Sequence, residues 1–258
     1  MSRFKPFSRR KLNKIFRQWS RRNWKLLVLL TLGTLVLIAF VTTAIVVLVP
    51  PEPFMWWALG AVQAGLVAAY LQLLQSAFLA HEREAVIQLR GAWGEDNTRS
   101  ELRRAKRKNH VWGWVDSIQL QGSDIDHLVV TRRGGLVAID SKWRSQGNDV
   151  AEMGRSARRA ATRAQGVARS ILAKEHGARH RSKVNSLTVT PVVVVWGAAQ
   201  HNVPAGYRTE EVDFIPGRQL VTWLGALDSE AVTKAAAGDL IARLEEYRAG
   251  NWATNSLI

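Results

Sequence analysis

The 258 residues include no cysteine, which excludes disulfides, thiolate zinc sites and a cysteine nucleophile and fits a reducing compartment. Acidic residues are scarce. Only 21 Asp and Glu stand against 36 Lys and Arg, a formal net charge of +15. A balance this basic favours polyanionic partners, either nucleic acid or anionic lipid headgroups. The scarcity is also uneven. Residues 1–25 hold ten Lys/Arg and no acid, interleaved with Phe4, Phe7, Phe16, Trp19 and Trp24. Residues 26–49 and 54–80 hold no charge of either sign. No internal repeat is evident, and the length admits one or two domains.

What is present follows from those gaps. The uncharged run 26–49 is long enough to cross a hydrocarbon core as a helix. It exceeds the apolar stretch of a signal peptide and has no convincing small-residue cleavage site before Pro50. Pro50, Pro51 and Pro53 interrupt the chain around Glu52, and 54–80 forms a second run, with Trp56 and Trp57 at the level of an interfacial belt. The reading is a basic tail (1–25), a two-helix transmembrane hairpin (26–80) and a domain from His81 onward (81–258). The ten positive charges before the first span, against none in the turn, put both the N-terminus and the C-terminal domain on the cytoplasmic side of a cell membrane. The tail then lies against anionic lipid. Ala61 and Gly65, like Ala64 and Ala68, are small residues four apart that permit close helix packing and hence a homo-oligomer.

Beyond the spans, residues 81–90 extend the second helix and Gly91-Ala92-Trp93-Gly94 breaks it. Residues 95–108 form a further helix, acidic at its start and basic at its end. Strands are expected at 111–120, 125–131 and 136–142, the last two as a hairpin around Arg132-Arg133-Gly134-Gly135. A long helix over 151–175, a strand over 186–196, a shorter strand near 212–215 and a last helix over 229–247, capped by Asp228 or Ser229, complete an α/β domain with a mixed sheet flanked by helices.

The hairpin carries the chemistry. Asp124 and Asp126 share a strand face, as do Asp140 and Lys142. Charged residues at the ends of apolar strands call for pairing or a metal. Asp126 meets Asp140 and Lys142 only if the connecting loop has an odd number of residues. A three-residue loop, Arg133-Gly134-Gly135, satisfies this. Two such carboxylates are hard oxygen ligands suited to Mg²⁺, or Mn²⁺, which keeps several waters and bridges to phosphate. Lys142 would stand beside the attacking water, and Glu95 on the preceding helix could complete the shell. His127 alternates away from Asp126 and reads as a packed histidine. His176 and His180 have helical ligand spacing but no third ligand nearby and read as surface residues.

With Gly94-Glu95-Asp96, Asp124-Ile125-Asp126-His127 and Ile139-Asp140-Ser141-Lys142-Trp143 in this order, the sequence resembles the nuclease-related domain, NERD, of the PD-(D/E)xK nuclease-like superfamily. The resemblance covers roughly residues 85–196. It implies a restriction-endonuclease-like fold, metal-binding Asp126 and Asp140, and catalytic Lys142 and Glu95. It also implies a supporting glutamine on the following helix, at Gln165. Asp140 stands where many members have Glu, a shorter ligand arm. After this site comes a basic stretch, Arg155, Arg158, Arg159, Arg163, Arg169, Lys174, Arg179, Arg181 and Lys183, around a single acid, Glu175. It suits phosphate binding on DNA or RNA. No base-stacking platform or recognition helix stands out, so no sequence-specific contact is expected. The expected function is therefore a membrane-tethered, metal-dependent nuclease, with a non-catalytic nucleic-acid-binding or scaffold module on the same fold as the alternative.

Overall fold

Each uncharged run becomes a single helix. In a computed structural model, which describes residues 7–120, 123–145, 150–176 and 189–255, α2 spans Trp24–Leu48 and α3 spans Pro53–His81. Both are long and apolar enough to cross a membrane, by length and composition. Pro53 opens α3 at a position where its missing N–H is no loss. Polar side chains tie the two helices together. Thr31 Oγ1 lies 2.8 Å from the Tyr70 hydroxyl, and Gln63 donates to Thr42 Oγ1 at 3.2 Å. The basic segment before them is also helical, α1 (Phe7–Arg22). Ile15 and Trp19 turn inward and the Trp19 ring meets Phe78 at 5.4 Å. Arg22 and Lys11 form ion pairs with Glu82 and Glu84, both at 2.7 Å. Ser8–Leu89 forms one compact unit and Arg90–Ile258 another.

The helix break is not where glycine content suggests. α3 stops at His81, Glu82 leaves helical geometry (φ −117°, ψ 87°), and α4 then runs unbroken over Arg83–Arg107. Gly91 and Gly94 lie inside it. The reason is tertiary. A Cβ on Gly94 would stand 3.7 Å from Ser141 Cβ and from the Ser141 carbonyl oxygen, so this glycine lies against a strand, and packing outweighs a propensity loss of about 1 kcal/mol. α4 ends as a helix should. Asn109 adopts φ +62°, the His110 N–H reaches back to the Ala105 carbonyl, and Arg104, Lys106 and Arg107 occupy the last turn.

Among the described residues six strands follow: β1 (Val111–Leu120), β2 (Ser123–Thr131), β3 (Leu136–Trp143), β4 (Val189–Trp196), β5 (Arg208–Thr209) and β6 (Val212–Pro216). Their order in the sheet is β1-β2-β3-β4-β6-β5. β1, β2 and β3 are antiparallel neighbours, β3, β4 and β6 are parallel, and β5 returns antiparallel on β6. Helix α5 (Val150–His176) makes the β3-to-β4 crossover. Alternation along β2 and β3 sorts the two faces. Leu128, Val130, Leu136 and Ala138 meet Ala160, Ala161, Ala164 and Ala168 of α5 and Leu240 and Leu244 of α7 (Lys234–Asn255). Val129, Val137, Ile139, Val192 and Val194 meet Leu102 and Ala105 of α4 and Leu224 of α6 (Leu220–Ala226).

The last helix begins later than expected. Residues Glu230 and Val232 are drawn into hydrogen bonds with Arg132, Arg133 and Gly135 at the hairpin loop. The first turn of α7 is instead capped by Thr233, whose Oγ1 accepts from the Ala236 N–H at 3.3 Å. Arg179, His180, Arg181 and Lys183 lie outside the described residues, as do the side chains of Asp124, Arg169, Lys174, Glu175 and His176.

Candidate functional site

The β2–β3 connection decides which side chains meet. The last register pair before the turn is Val130↔Leu136, which leaves five residues, 131–135, rather than three. The number is still odd, as co-facial placement requires. The loop is closed by Thr131, whose N–H and Oγ1 both donate to the Gly135 carbonyl while its Oγ1 accepts from the Gly134 N–H. Gly135 takes φ +62°, a conformation that costs glycine little.

At the other end of the hairpin the ladder closes at His127↔Ile139. One residue further, Asp126 Oδ2 accepts the main-chain N–H of Ser141 at 2.7 Å. Lys142 Nζ and Asp140 Oδ1 form an ion pair at 2.7 Å, the two side chains being 30% and 15% exposed. Glu95 comes from α4 and is buried. Its helix is fixed against the sheet by Gly94 on β3 and by a chain of hydroxyls. Trp196 Nε1 donates to Thr98 Oγ1, and Thr98 Oγ1 lies 2.8 Å from Ser141 Oγ. Trp93 and Trp143 add a ring contact at 5.6 Å.

The electrostatics link these residues. Burial raises the Asp126 pKa well above the usual carboxylate range, the charges of Asp140 and Glu95 push it further, and Lys142 and the Ser141 N–H only partly oppose this. Burial works against charge on Lys142, but Asp140 and Asp126 prevail and hold its pKa above the ordinary lysine value. Arg144 is also close enough for its charge to be felt at Lys142. The group is thus a crowded set of carboxylates with one ammonium among them. Its donors are hard oxygens, and Asp126 is disfavoured as an anion unless further positive charge arrives. That suits a divalent cation that retains water. Among the described residues no three His, Cys, Asp or Glu side chains converge into a ready-made protein shell, so such an ion would rely on two carboxylates and solvent.

His127 is fully buried, with its Nδ1 2.7 Å from Asp116 Oδ1. Arg99 donates from Nε to Asp116 Oδ2 and from an Nη to Asp96 Oδ1, both at 2.9 Å. Burial raises the Asp116 pKa, but His127 and Arg99 together draw it below its usual value. Neither Asp116 nor Arg99 was prominent in the sequence. The available signal was an acid inside an alternating strand, directly opposite His127 in the β1–β2 register.

The remaining predicted residues lie on α5. Gln165 is half-buried and follows Ala164, which belongs to the apolar cluster that also holds Ile125 and Leu128. Arg155, Arg158, Arg159 and Arg163 line an open groove of about 420 Å³ together with Thr162 and Glu210. Arg155 lies 3.8 Å from Glu210, and Arg158 lies 3.0 Å from Glu211.

Comparison with known proteins bears out the family resemblance. Residues 90–196 match the family model of the nuclease-related domain, NERD. Glu95, Asp126, Asp140, Lys142 and Gln165 all fall within the match, and the mixed sheet with helices on both faces is consistent with a nuclease-like fold. No curated protein and no solved structure matches the chain.

Proposed function

We propose that the chain is a membrane-tethered, divalent-cation-dependent nuclease that hydrolyses phosphodiester bonds in DNA or RNA. The observation that carries this reading is the setting of Asp126, a half-buried carboxylate held by the Ser141 N–H, crowded by Asp140 and Glu95 and faced by Lys142. Asp126 and Asp140 would hold the ion, Mg²⁺ or Mn²⁺. Held there, such an ion would supply Lewis acidity for activating water and for neutralising charge on the phosphate. Lys142, kept cationic by its carboxylate neighbours, orients the attacking water and stabilises the negative charge of the transition state. Glu95 supports the site from α4 and Gln165 from α5. The Ser141 N–H fixes the Asp126 rotamer, so the carboxylate does not have to be ordered when substrate arrives. The arginine-lined groove of α5 binds the nucleic-acid backbone without reading bases.

Helices α2 and α3 anchor the chain in the cell membrane as a hairpin. The charge asymmetry across the first span supports a cytoplasmic position for α1 and the sheet domain. There α1 contacts anionic lipid, and the small residues of α3 support self-association.

Full-length protein in detergent, incubated with duplex DNA, single-stranded DNA or RNA, tests this. Cleavage that requires Mg²⁺ or Mn²⁺, stops with EDTA and is lost in both Asp126→Ala and Lys142→Ala supports the reading. Cleavage that persists in both variants sinks it. The arginine-lined groove of α5, which needs no catalysis to bind phosphate, favours a second reading, a non-catalytic membrane-anchored nucleic-acid binder or scaffold. Salt-dependent binding without cation-dependent cleavage would select it.

A further inference from the structure

Strand β5 pairs with β6 through Thr209↔Val212, so Glu210 and Glu211 alone form the turn. Both have positive φ, +48° and +62°. Two central residues in the left-handed region are the signature of a type I′ hairpin turn, which strongly prefers Asn-Gly, Asp-Gly or Gly-Gly. Two glutamates are poor choices for it, because a Cβ is disfavoured at both positions. Local backbone preference therefore does not account for this sequence.

The side chains suggest what does. Glu211 reaches Arg158 at 3.0 Å and Glu210 reaches Arg155 at 3.8 Å. These arginines are three residues apart on α5 and so share a helix face. Glu210 is itself part of the wall of the groove that Arg155, Arg158, Arg159 and Arg163 line. All four partners are substantially exposed, from 38% to 72%. Exposed pairs of this kind contribute little to stability, so they do not offset the unfavourable turn. They are also readily exchanged for another anion. Carboxylates held opposite arginines occupy the place that phosphate oxygens would take.

We propose that the Glu210–Glu211 hairpin tip is a built-in competitor for the α5 groove: it covers Arg155 and Arg158 and is displaced by the phosphodiester backbone of nucleic acid. The tip raises the threshold for non-specific capture of polyanions and steepens discrimination between a continuous backbone, which can displace both carboxylates, and isolated phosphates, which cannot. This rests on reading the α5 arginines as the nucleic-acid surface and is independent of whether Asp126, Asp140 and Lys142 cleave.

The test uses the full chain in detergent with EDTA present, so that binding is read without cleavage. Binding of a short fluorescein-labelled DNA duplex is followed by anisotropy across a salt series. Two variants remove the carboxylates differently. Glu210→Gln with Glu211→Gln keeps the size of the side chains, and Glu210→Asn with Glu211→Gly installs the preferred turn. Both should bind about tenfold more tightly, with a log–log salt slope steeper by about 1.8, as for two additional phosphate contacts. The Asn-Gly variant should also melt at a higher temperature. Adding Arg155→Ala and Arg158→Ala to either variant should abolish the gain. Unchanged affinity in both variants overturns the proposal, as does a gain that survives loss of the two arginines. If no form binds the duplex, the competitor proposal fails, while the cleavage assay with Lys142→Ala still judges the hydrolytic reading separately.

Discussion

The main-chain N–H of Ser141 donates to Asp126 Oδ2 at 2.7 Å, so the carboxylate of one strand is held by the backbone of the next. That bond favours the ionised form of Asp126. Burial and the charges of Asp140 and Glu95 outweigh it and raise the pKa. A carboxyl group raised in this way opposes folding when ionised. Its destabilising effect grows as pH rises from the unfolded value near 3.8 through the higher folded one.

Asp126→Asn should therefore separate stability from function. Without divalent cation, the variant is expected to be more stable than the parent at neutral pH, by about 0.5–2 kcal/mol, and the difference should shrink on acidification. Added Mg²⁺ should raise the melting temperature of the parent and leave that of the variant unchanged. Calorimetry of the detergent-solubilised protein reads both effects.

Lys142→Met should act in the opposite direction. It removes the ammonium paired with Asp140 at 2.7 Å and leaves carboxylates facing one another. The raised lysine pKa means that its stabilisation is complete at neutral pH and is lost only as pH rises through the folded value. The expected loss is about 1–2 kcal/mol, discounted for partial exposure. Cleavage, measured on a labelled duplex, should fall by about 10²–10³-fold.

Asp116→Asn tests the part-buried His127–Asp116–Arg99 network. His127 and Arg99 depress the Asp116 pKa, so its contribution is present above the unfolded value near 3.8 and disappears as pH falls through the lower folded one. The variant should lose about 1–3 kcal/mol at neutral pH. Its melting temperature should then vary less than that of the parent between neutral and strongly acidic pH.

The same added methyl group should have opposite effects at two glycines. A Cβ at Gly94 meets only ordinary contacts at 3.7 Å, and the position is inside α4, so Gly94→Ala should gain about 0.5–1 kcal/mol. A Cβ at Gly217 would stand 2.4 Å from the Trp196 ring, whose Nε1 is committed to Thr98. Gly217→Ala should cost about 1–3 kcal/mol. Thermal melts of the two variants are sufficient to test this.

Because the chain lacks cysteine, introduced thiols report without background. Glu52→Cys, in the turn between α2 and α3, should react with a membrane-impermeant maleimide in intact cells. Ser145→Cys should react only after permeabilisation. The reverse pattern would overturn the proposed orientation.

The features legible in the sequence were those set by local pattern. Uncharged length produced α2 and α3, and alternation around two glycines produced the β2–β3 hairpin. Parity then brought Asp126 toward Asp140 and Lys142 without knowledge of the exact loop size. What escaped depends on contacts between distant residues. Gly91 and Gly94 looked like a helix break because nothing local announces that β3 lies against Gly94. The start of α7 was misplaced because Glu230 and Val232 are claimed by the loop at Arg132 and Arg133. Asp116 was overlooked because its partners, His127 and Arg99, are 11 and 17 residues away. Gln165 lies on a long helix whose register periodicity alone does not fix.

Strand β3 lies between β2 and β4, and although its ladder with β2 ends at Ile139, Asp140 and Lys142 stay paired with Val193 and Val195 of the parallel strand β4. Amide hydrogens there exchange only through the rarest openings of the domain, those that approach complete unfolding. A partially frayed molecule therefore keeps its carboxylate group assembled while β5 and the hairpin tip come and go. Proteolytic nicking or loss of that outer strand should consequently leave the Asp140 and Lys142 amides as protected from deuterium as in the intact chain.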